Sequence, residues 1–320
     1  MAKNDPPFAV TQTMLRYVAD ISELVGKLRV NRLSHDPMLR RSNRIRTIQS
    51  TLAIEQNTLS VEQVTAVLDG KRVLAPPREI AEVRNAARAY EMMDELDPYS
   101  VDSLLEAHGV MMRGLIDEAG TFREGAVGVV DAEGNILHFG TLPRYVPESV
   151  EQLLDWVRES ELPMLIKSCV FHYELELIHP FSDGNGRLGR LWHTLLLTQW
   201  SPLFAWLPIE SVIRERQQEY YDAINAANLA GESTIFIEFM LSAIRAALPE
   251  DTGTSGKAEA RRRFVLEYLS SHPHISNTDV CRGLGVSSAT ANRILSELWH
   301  SGALERKRIG KTWGYVKKNE

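Results

Sequence analysis

The stretch HPFSDGNGRLGR at positions 179–190 concentrates more reactive side chains than any other part of the chain. It contains the imidazole of His179, the carboxylate of Asp183, a glycine-rich turn and two arginines, Arg187 and Arg190. An imidazole can act as a base near neutral pH, and arginines bind phosphate oxygens through paired N–H groups. The stretch therefore predicts a site that holds the phosphates of a nucleotide and deprotonates a hydroxyl group.

The composition is that of an ordinary globular protein. The chain has 320 residues, of which 44% are apolar and 24% charged, and its formal net charge is −6. This length can hold two domains, and the negative charge argues against a general polyanion binder. Cys169 and Cys281 form no metal or redox spacing, which favours a reducing compartment. Because we find no signal-peptide pattern and no apolar run of about 18–20 residues, we expect a cytoplasmic protein without membrane attachment.

Helical periodicity dominates the chain up to residue 247. Apolar residues recur every three or four positions, which predicts a succession of amphipathic helices. These helices are expected at residues 14–28, 43–55, 60–70, 77–90, 101–116, 148–158, 164–178, 188–199, 212–228 and 235–247. One segment differs: Val127–Val130 and Ile136–Phe139 flank a turn at Asp131–Asn135, and together they predict a β-hairpin.

The character of the chain changes after residue 247. Residues 248–256 read LPEDTGTSG, which is typical of a linker. Residues 258–320 then contain eleven Lys and Arg against six Asp and Glu, a net charge of +5 that leaves −11 on the preceding residues. Helical patterns at residues 262–271, 276–284 and 287–302 are followed by a basic hairpin at residues 305–316. Three helices and a basic wing predict a winged-helix domain.

The residues around the motif indicate how its side chains are presented. The helix that ends near Ile178 is apolar and is expected to be central, and Pro180 biases His179 out of the helical conformation. His179 would thus lie at a helix C-terminus. The turn Gly184–Gly186 lets backbone N–H groups converge into an anion nest at the start of the next helix. Asp183 offers a hard oxygen ligand of the kind that holds Mg²⁺ beside phosphates.

The segment 179–190 resembles the signature of the Fic family, His-x-Phe-x-(Asp/Glu)-Gly-Asn-Gly-Arg-x-x-Arg, at every specified position. The resemblance extends over about residues 10–250. It implies an all-α Fic fold with a small β-hairpin flap, here followed by a winged helix-turn-helix domain. It also implies a protein adenylyltransferase, which transfers AMP from ATP to a Ser, Thr or Tyr hydroxyl of a target protein with Mg²⁺ as cofactor.

The resemblance assigns a role to each motif residue. His179 would be the general base that takes the proton of the target hydroxyl during attack on the α-phosphate, and Asp183 would hold Mg²⁺. The phosphates would lie against Gly184, Asn185, Gly186, Arg187 and Arg190. Attack on the α-phosphate would release pyrophosphate. Electrostatic stabilisation of the charge on the phosphates is expected to matter more than covalent chemistry.

Two further segments resemble elements of the family. The stretch EYYDAINAAN at positions 219–228 resembles the helix that contacts the nucleoside, with Tyr221 near the base and Asn228 bonded to the adenosine. Paired tyrosines are also common in a protein core, which is the alternative for Tyr221. The hairpin resembles the flap that binds the target by strand addition, and a purely structural hairpin is its alternative. The target-binding strand would consist of Val127, Gly128, Val129 and Val130.

The stretch TLAIE at positions 51–55 resembles the inhibitory motif (Ser/Thr)-x-x-x-Glu-(Gly/Asn) that precedes many Fic cores. The match is partial, because residue 56 is Gln and the Asn follows one position later. Thr51 and Glu55 would be the inhibitory residues. The Glu55 carboxylate would occupy Arg190, which otherwise binds the γ-phosphate, and a solvent-facing Glu55 is the alternative.

These assignments predict an order of domains. An N-terminal helical region (1–97), with its inhibitory helix at about residues 43–57, precedes a Fic core (98–247), a linker (248–257) and a winged-helix domain (258–320). The winged helix would read DNA through the helix that opens at Ser287–Arg293 and the wing at Arg306–Lys311. Binding of another protein and a purely structural role are the alternatives. A homodimer is left open.

Three other functions compete with adenylyl transfer. The chain could use another donor, such as UTP or a phosphocholine carrier, or remove AMP from a target. It could also be a transcriptional regulator that only senses a nucleotide, although a sensor has no need of the base His179. Finally, His172, Glu176 and His179 could line one helix face as metal ligands. The break after Ile178 argues against this metal site and favours His172 as a core residue.

Overall fold

The described residues are mostly helical, and they also form two small antiparallel sheets of two strands each. The computed structural model describes residues 5–30, 37–130, 136–249, 255–309 and 312–317. The predicted hairpin turn at residues 131–135 and residues 250–254 of the predicted linker lie outside them. The chain divides into two compact units, residues 1–248 and 249–320.

The first unit contains eleven described α-helices, three short 3₁₀ helices and the hairpin. In chain order these are α1 (Gln12–Val30), α2 (Pro37–Ile54), α3 (Val61–Leu68), α4 (Pro77–Glu91), a 3₁₀ helix (Met92–Glu95), α5 (Val101–Met111), β1 (Gly128–Val130), β2 (Ile136–Phe139), a 3₁₀ helix (Pro143–Tyr145), α6 (Val146–Glu159), α7 (Met164–Ile178), α8 (Asn185–Trp200), a 3₁₀ helix (Pro202–Trp206), α9 (Ile209–Glu215), α10 (Gln217–Ala230) and α11 (Thr234–Ala247).

Local sequence signals explain where several of these helices begin. Ser60 and Gln63 form the predicted capping box of α3: the Gln63 N–H donates to Ser60 Oγ at 3.3 Å, and the Ser60 N–H donates to Gln63 Oε1 at 2.9 Å. Pro77 occupies the first position of α4, where a missing N–H costs nothing. Ser100 caps α5 by accepting from the Ser103 N–H.

The helices α7 and α8 form the centre of the first unit. They pack against each other, and α6 and α11 cover α7. Their fully buried side chains include Cys169, Val170, Phe171, Leu191, Trp192 and Leu196. The helix α2 lies against α3, α4, α8 and α9. The region 1–97 therefore shares one hydrophobic core with the rest of this unit, which places the end of α2 close to the start of α8.

Four predicted helices of the first unit differ from the structure, and the first of them, α2, begins at Pro37 instead of residue 43. The pattern at 212–228 predicted one helix, whereas the backbone leaves the helical conformation at Arg216 (φ −114°, ψ 35°). Both halves pack on α11, but α9 also packs on α2, so the two halves have only one partner in common. The helix α8 begins three residues earlier than predicted, inside the motif. The helix α5 ends at Met111 instead of 116.

The second unit has the predicted winged-helix elements. These are α12 (Ser255–Ser271), α13 (Asn277–Leu284), α14 (Ser288–His300), β3 (Leu304–Ile309) and β4 (Thr312–Lys317). The strands pair antiparallel, with Arg306 opposite Tyr315, and a bridge between Ile275 and Tyr315 joins β4 to the segment before α13. A separate core that includes Val265, Val280 and Leu295 holds the unit together. The helix α12 begins within the predicted linker.

The predicted fold class is thus confirmed in both units. None of the described helices combines the length and the apolar character that a membrane crossing requires.

Candidate functional site

His179 lies at the C-terminus of α7 in a left-handed conformation (φ 51°, ψ 61°). The residue before a proline is normally extended, but here the left-handed turn ends the helix, and the His179 N–H still donates to the Leu175 carbonyl at 2.9 Å. The ring atom Nδ1 lies 3.3 Å from the Glu176 carbonyl. Because a carbonyl only accepts, this contact assigns the ring proton to Nδ1 and the lone pair to Nε2. This tautomer is the one a general base at Nε2 requires.

Arg123 binds the backbone around His179 and at the base of the hairpin, a role that the sequence did not reveal. Its buried guanidinium donates to the carbonyls of His179 at 2.6 Å, of Gly125 at 2.7 Å, and of Thr141. The Arg123 N–H also donates to the Pro180 carbonyl at 3.1 Å. A buried arginine directly before the hairpin ties the hairpin base to the residue that carries the imidazole.

The turn after Asp183 has the geometry of an anion nest. Gly184 adopts φ 88° at the N-cap of α8, and a Cβ there would lie 2.7 Å from Met112 Sδ, so that only glycine fits. Within the described ranges no side chain caps this helix. The first-turn N–H groups at residues 185–187 therefore keep the donor capacity that an anion can use.

Asn185 closes the loop with its side chain instead of facing the nest. Its Oδ1 accepts from the Phe181 N–H at 3.0 Å, and its Nδ2 donates to the Phe181 carbonyl at 2.9 Å. The side chain is almost fully buried. The predicted phosphate contact of Asn185 can therefore apply to its backbone N–H alone, because both side-chain groups already serve the loop.

His108 on α5 contacts the loop between α7 and α8 through Phe181 and Asp183, a role that the sequence did not reveal. Its ring stacks on Phe181 with centroids 3.7 Å apart. The Gly120 N–H donates to Nδ1 at 2.9 Å, so Nε2 carries the proton that it donates to the Asp183 carbonyl at 3.0 Å. Burial lowers the pKa of His108 to about 4, which keeps the ring neutral. Its helical spacing with Leu104 and Met111 was the available signal for an inward-facing position.

Asp183 and Arg187 form a close ion pair at the start of α8. Arg187 Nη2 donates to Asp183 Oδ1 at 2.6 Å, and the Gly184 N–H also donates to Oδ1 at 2.6 Å. The other oxygen, Oδ2, lies 3.4 Å from Arg78 Nη2. Arg187 is almost fully buried, whereas the Asp183 side chain is 39% exposed. The Asp183 carboxylate is thus accessible to solvent, whereas the Arg187 guanidinium lies in the protein interior.

The surroundings of Asp183 fit the predicted Mg²⁺ site. Mg²⁺ in phosphate sites takes one or two carboxylates and fills its other positions with phosphate oxygens and water. Oδ2 is the oxygen that fits this role, since its contact with Arg78 is long and the side chain is partly exposed. Among the described residues no group of three His, Cys, Asp or Glu could form an all-protein metal site.

Arg190 is held by the last turn of α2. Its Nε donates to Thr51 Oγ1 at 2.8 Å, and its Nη2 donates to the Thr51 carbonyl at 3.1 Å and to Glu55 Oε1 at 2.6 Å. The guanidinium is only 2% exposed. Burial alone would lower the pKa of Arg190, but the Glu55 carboxylate raises it well above its usual value. The ion pair keeps Arg190 charged and directed at α2.

The Glu55 carboxylate occupies space beside the nest. A Cβ on Gly186 would lie 2.6 Å from Glu55 Oε1 and 3.0 Å from Arg190 Nη1. The absence of a side chain at Gly186 is therefore what admits the carboxylate. The Glu55 side chain is 34% exposed, yet one of its carboxylate oxygens is bonded to the buried Arg190, so the side chain faces solvent and Arg190 at once.

The two tyrosines of α10 have different surroundings. Tyr220 is buried, and its hydroxyl lies 3.0 Å from His172 Nε2. Tyr221 is 39% exposed, and its hydroxyl lies 3.3 Å from the Ile54 carbonyl at the end of α2. Asn228 accepts a hydrogen bond from the Tyr173 hydroxyl at 2.9 Å. Tyr221 is thus outside the core and next to Glu55, while the nucleoside contacts of Tyr221 and Asn228 stay predictions.

The predicted hairpin is present, and its base lies against His179. Gly128 pairs with Phe139 and Val129 with His138, with an irregularity before Val130. The Gly140 N–H donates to the Val127 carbonyl at 3.1 Å, and a Cβ on Gly140 would lie 3.2 Å from His179 Cβ. Only the backbone of Val129 and Val130 is described. Target binding by this strand stays a prediction.

His172 is a buried core histidine, as the helix break after Ile178 predicted. Its Nε2 lies 4.0 Å from Glu176 Oε1 and bonds to Tyr220, and burial holds its pKa well below the usual range. Burial also raises the pKa of Glu176 to about 7, although Arg190 opposes this shift. Glu176 Oε1 is buried and has no hydrogen-bond partner among the described residues. Buried carboxyl and imidazole groups thus lie directly behind the motif.

Comparison with known sequences identifies relatives of both units. Residues 98–197 match the Fic/DOC family, and residues 261–305 match a winged helix-turn-helix DNA-binding family. The chain is 32% identical over 263 residues to the protein adenylyltransferase fic-1 of Caenorhabditis elegans, covering 77% of this chain and 48% of that protein. It is 30% identical over 155 residues to a probable protein adenylyltransferase of Aquifex aeolicus, covering 47% and 46%. The chain spans about half the length of these curated relatives.

Solved structures show the same architecture. The crystal structure of a Fic family protein from Desulfovibrio desulfuricans is 42% identical to this chain, with a TM-score of 0.74, and the match covers 99% of each chain. A structure of Fic-1 from Caenorhabditis elegans is 26% identical, with a TM-score of 0.63, and the match covers 77% of this chain and 73% of that one. The first of these similarities includes the winged-helix unit.

Proposed function

Because the chain belongs to the Fic/DOC family, we propose that it is a protein adenylyltransferase that transfers AMP from ATP to a hydroxyl group of a target protein. The observation that carries this proposal is the position of His179 at the C-terminal end of α7, with the uncapped glycine turn that opens α8 following it directly in the chain. A base and a phosphate site on two consecutive helices provide both halves of a hydroxyl-to-phosphate transfer. The names of the sequence relatives support the same activity.

The proposed reaction follows from these positions. The target hydroxyl oxygen attacks the α-phosphorus, the bond to pyrophosphate breaks, and the hydroxyl proton moves to His179 Nε2. Arg187, Arg190 and the N–H groups of the nest bind the phosphate oxygens and stabilise the charge that develops on them. Mg²⁺, held by Asp183, supplies further positive charge when it is bound.

The contacts of α2 support autoinhibition of this reaction. Arg190 Nε and Nη2 donate to Thr51 and Glu55. A phosphate that binds Arg190 has to displace the Glu55 carboxylate, which costs a partly buried, charge-assisted hydrogen bond. ATP would then bind without its γ-phosphate on Arg190, in a pose that does not favour attack on the α-phosphorus.

The experiment that tests the activity compares two positions of a radiolabel. The Glu55→Gly variant is incubated with Mg²⁺ and ATP labelled on either the α- or the γ-phosphate, and protein-bound label is counted. Adenylyl transfer predicts label from α-labelled ATP only, and none with the Glu55→Gly/His179→Ala double variant. Label from γ-labelled ATP would indicate phosphoryl transfer instead, and label that persists without His179 would contradict the role of the base.

A second function is supported by the winged-helix unit. Its sequence matches a DNA-binding family, and the exposed side chains at the wing include Arg306, Lys307 and Arg308. On α14, Arg293 is exposed and pairs loosely with Glu297 at 3.8 Å. We propose that α14 and this basic wing bind duplex DNA, since helices at this position enter the major groove in winged helix-turn-helix proteins.

A further inference from the structure

Glu82 on α4 joins the segment after α2 to the first motif arginine. Its Oε1 lies 3.7 Å from Arg187 Nη1 and 3.6 Å from Arg78 Nε. Its Oε2 accepts a hydrogen bond from Asn57 Nδ2 at 2.7 Å. The side chain is only 13% exposed. Both oxygens of Glu82 are therefore engaged, one by guanidinium groups at the phosphate site and the other by the residue two positions after Glu55.

Asn57 is itself held in place. It is buried, and its Oδ1 accepts from the Leu59 N–H at 3.1 Å. Its N–H donates to the Leu52 carbonyl in the turn that ends α2. The position of Asn57 is thus set by the end of the helix that carries Glu55, and Asn57 in turn fixes the Glu82 carboxylate.

We propose that Glu82 is a positioning residue that holds Arg187 in its phosphate-binding orientation, and that Asn57 fixes Glu82 for this purpose. Arg187 is anchored at Nη2 by Asp183 and at Nη1 by Glu82, whereas its buried Nε has no partner among the described residues. Two anchors define the plane of the guanidinium. If one of these two contacts is removed, the Arg187 guanidinium can rotate. It then no longer presents two N–H groups to a phosphate in the geometry that a bidentate contact requires.

The consequence is that one short segment acts on both motif arginines. Glu55 withdraws Arg190 from the phosphates, while Asn57, through Glu82, orients Arg187 toward them. The inference rests on the proposed function, because it takes the ATP phosphates as the ligand of Arg187. It adds a residue on α4 that lies outside the motif and outside the inhibitory sequence.

A positioning role of Glu82 and a purely electrostatic effect of its charge predict opposite changes in ATP affinity, so an experiment can distinguish them. Removal of a negative charge close to bound phosphates reduces repulsion and should tighten ATP binding. Loss of a positioning contact should weaken it. Glu79 provides the matched control: it lies on the same helix, and its carboxylate accepts hydrogen bonds from the Thr58 N–H and hydroxyl, both at 2.8 Å.

The experiment measures the Kd for ATP by calorimetry on the full chain, with Mg²⁺ and in the Glu55→Gly background. We expect Glu82→Gln to weaken binding about fivefold, because the variant loses the ion pair of Glu82 with the buried Arg187 guanidinium. Glu79→Gln should leave Kd within about twofold. Asn57→Ala should weaken binding in the same direction, and the double variant with Glu82→Gln should bind no more weakly than Glu82→Gln alone.

Unchanged or tighter binding by Glu82→Gln would overturn the proposal, as would additive effects of Asn57→Ala and Glu82→Gln. Equal weakening by Glu79→Gln would also overturn it, because it would show a general effect of α4. Circular dichroism melts confirm that the variants are folded. If the Glu55→Gly parent bound no ATP at all, the proposed function itself would fail, which distinguishes the two failures.

Discussion

Gln56 has a backbone conformation that favours glycine. It lies at φ 67°, directly after Glu55. The Gln56 N–H donates to the Ala53 carbonyl at 3.1 Å, and the Asn57 N–H donates to the Leu52 carbonyl at 3.0 Å. These bonds form a Schellman motif, whose left-handed position is usually glycine. The structure thus explains why the inhibitory motif has Gly or Asn at this position. Gln56 of this chain adopts the same left-handed conformation with a less favourable side chain.

At this residue we predict that Gln56→Gly stabilises the protein. The left-handed conformation costs a non-glycine residue roughly 1–2 kcal/mol, and the added freedom of glycine in the unfolded chain offsets part of it. We expect a net gain of about 0.5–1 kcal/mol, or about 1–4 °C in Tm. Gln152→Gly, at an exposed position within α6, is the control and should lower Tm. A lower Tm for both variants would show that Gln56 carries no strain.

The helix α7 places two partly buried carboxyl groups behind the motif. Burial raises the pKa of Glu174 to about 7 and the pKa of Glu176 to about 7. In the unfolded chain both carboxyls titrate near their ordinary values of about 4.3. A raised pKa in the folded state favours the protonated form. The associated stability is therefore complete below the unfolded value and is lost as the pH rises through about 7.

For this element we predict that the free energy of unfolding falls between about pH 4.5 and pH 7 and that Glu176→Gln reduces the fall. The amide cannot ionise, so the variant should gain stability relative to the parent at pH 8 and not at pH 5. Urea unfolding at a series of pH values measures this difference. Glu161→Gln, at an exposed position, should show none. A pH-independent effect of Glu176→Gln would contradict the raised pKa.

Helical periodicity predicted where most elements lie, because an apolar stripe depends only on nearby residues. Both α7 and the capping box of α3 agree with their predicted positions. The break at Arg216 was not predictable, since it depends on which helices α9 and α10 meet in the folded chain. For the same reason the motif predicted His179 and Arg190 but not Arg123 or Glu82. Their roles depend on distant backbone and side-chain partners.

At the scale of the whole molecule, the chain combines a helical unit and a winged-helix unit, each with its own core. The sequence revealed this division through the reversal of charge near residue 258. The approach of Glu55 to Arg190 followed only from a family motif, because 135 residues separate them in the chain. No local pattern could have placed the Thr51 hydroxyl on the same guanidinium.

For the winged-helix unit we predict salt-dependent binding of duplex DNA by the full chain. Binding measured by fluorescence anisotropy should weaken steeply between about 50 and 200 mM salt. Arg293→Ala should lower affinity and reduce the salt slope by about one unit if Arg293 contacts a phosphate. Arg262→Ala, on α12, removes the same charge from a different helix and should have a smaller effect. No detectable binding at low salt would favour a protein partner or a structural role.

We infer that Glu55 limits AMP transfer by holding Arg190 away from the phosphates. The most direct test is the initial rate of AMP incorporation, measured with Mg²⁺ and α-labelled ATP, for the wild-type chain and for Glu55→Gly. Loss of this partly buried, charge-assisted contact, worth roughly 1.5 kcal/mol, predicts about a tenfold increase in rate. Glu55→Gln, which keeps the shape without the charge, should be intermediate. Equal rates for all three proteins would contradict the account.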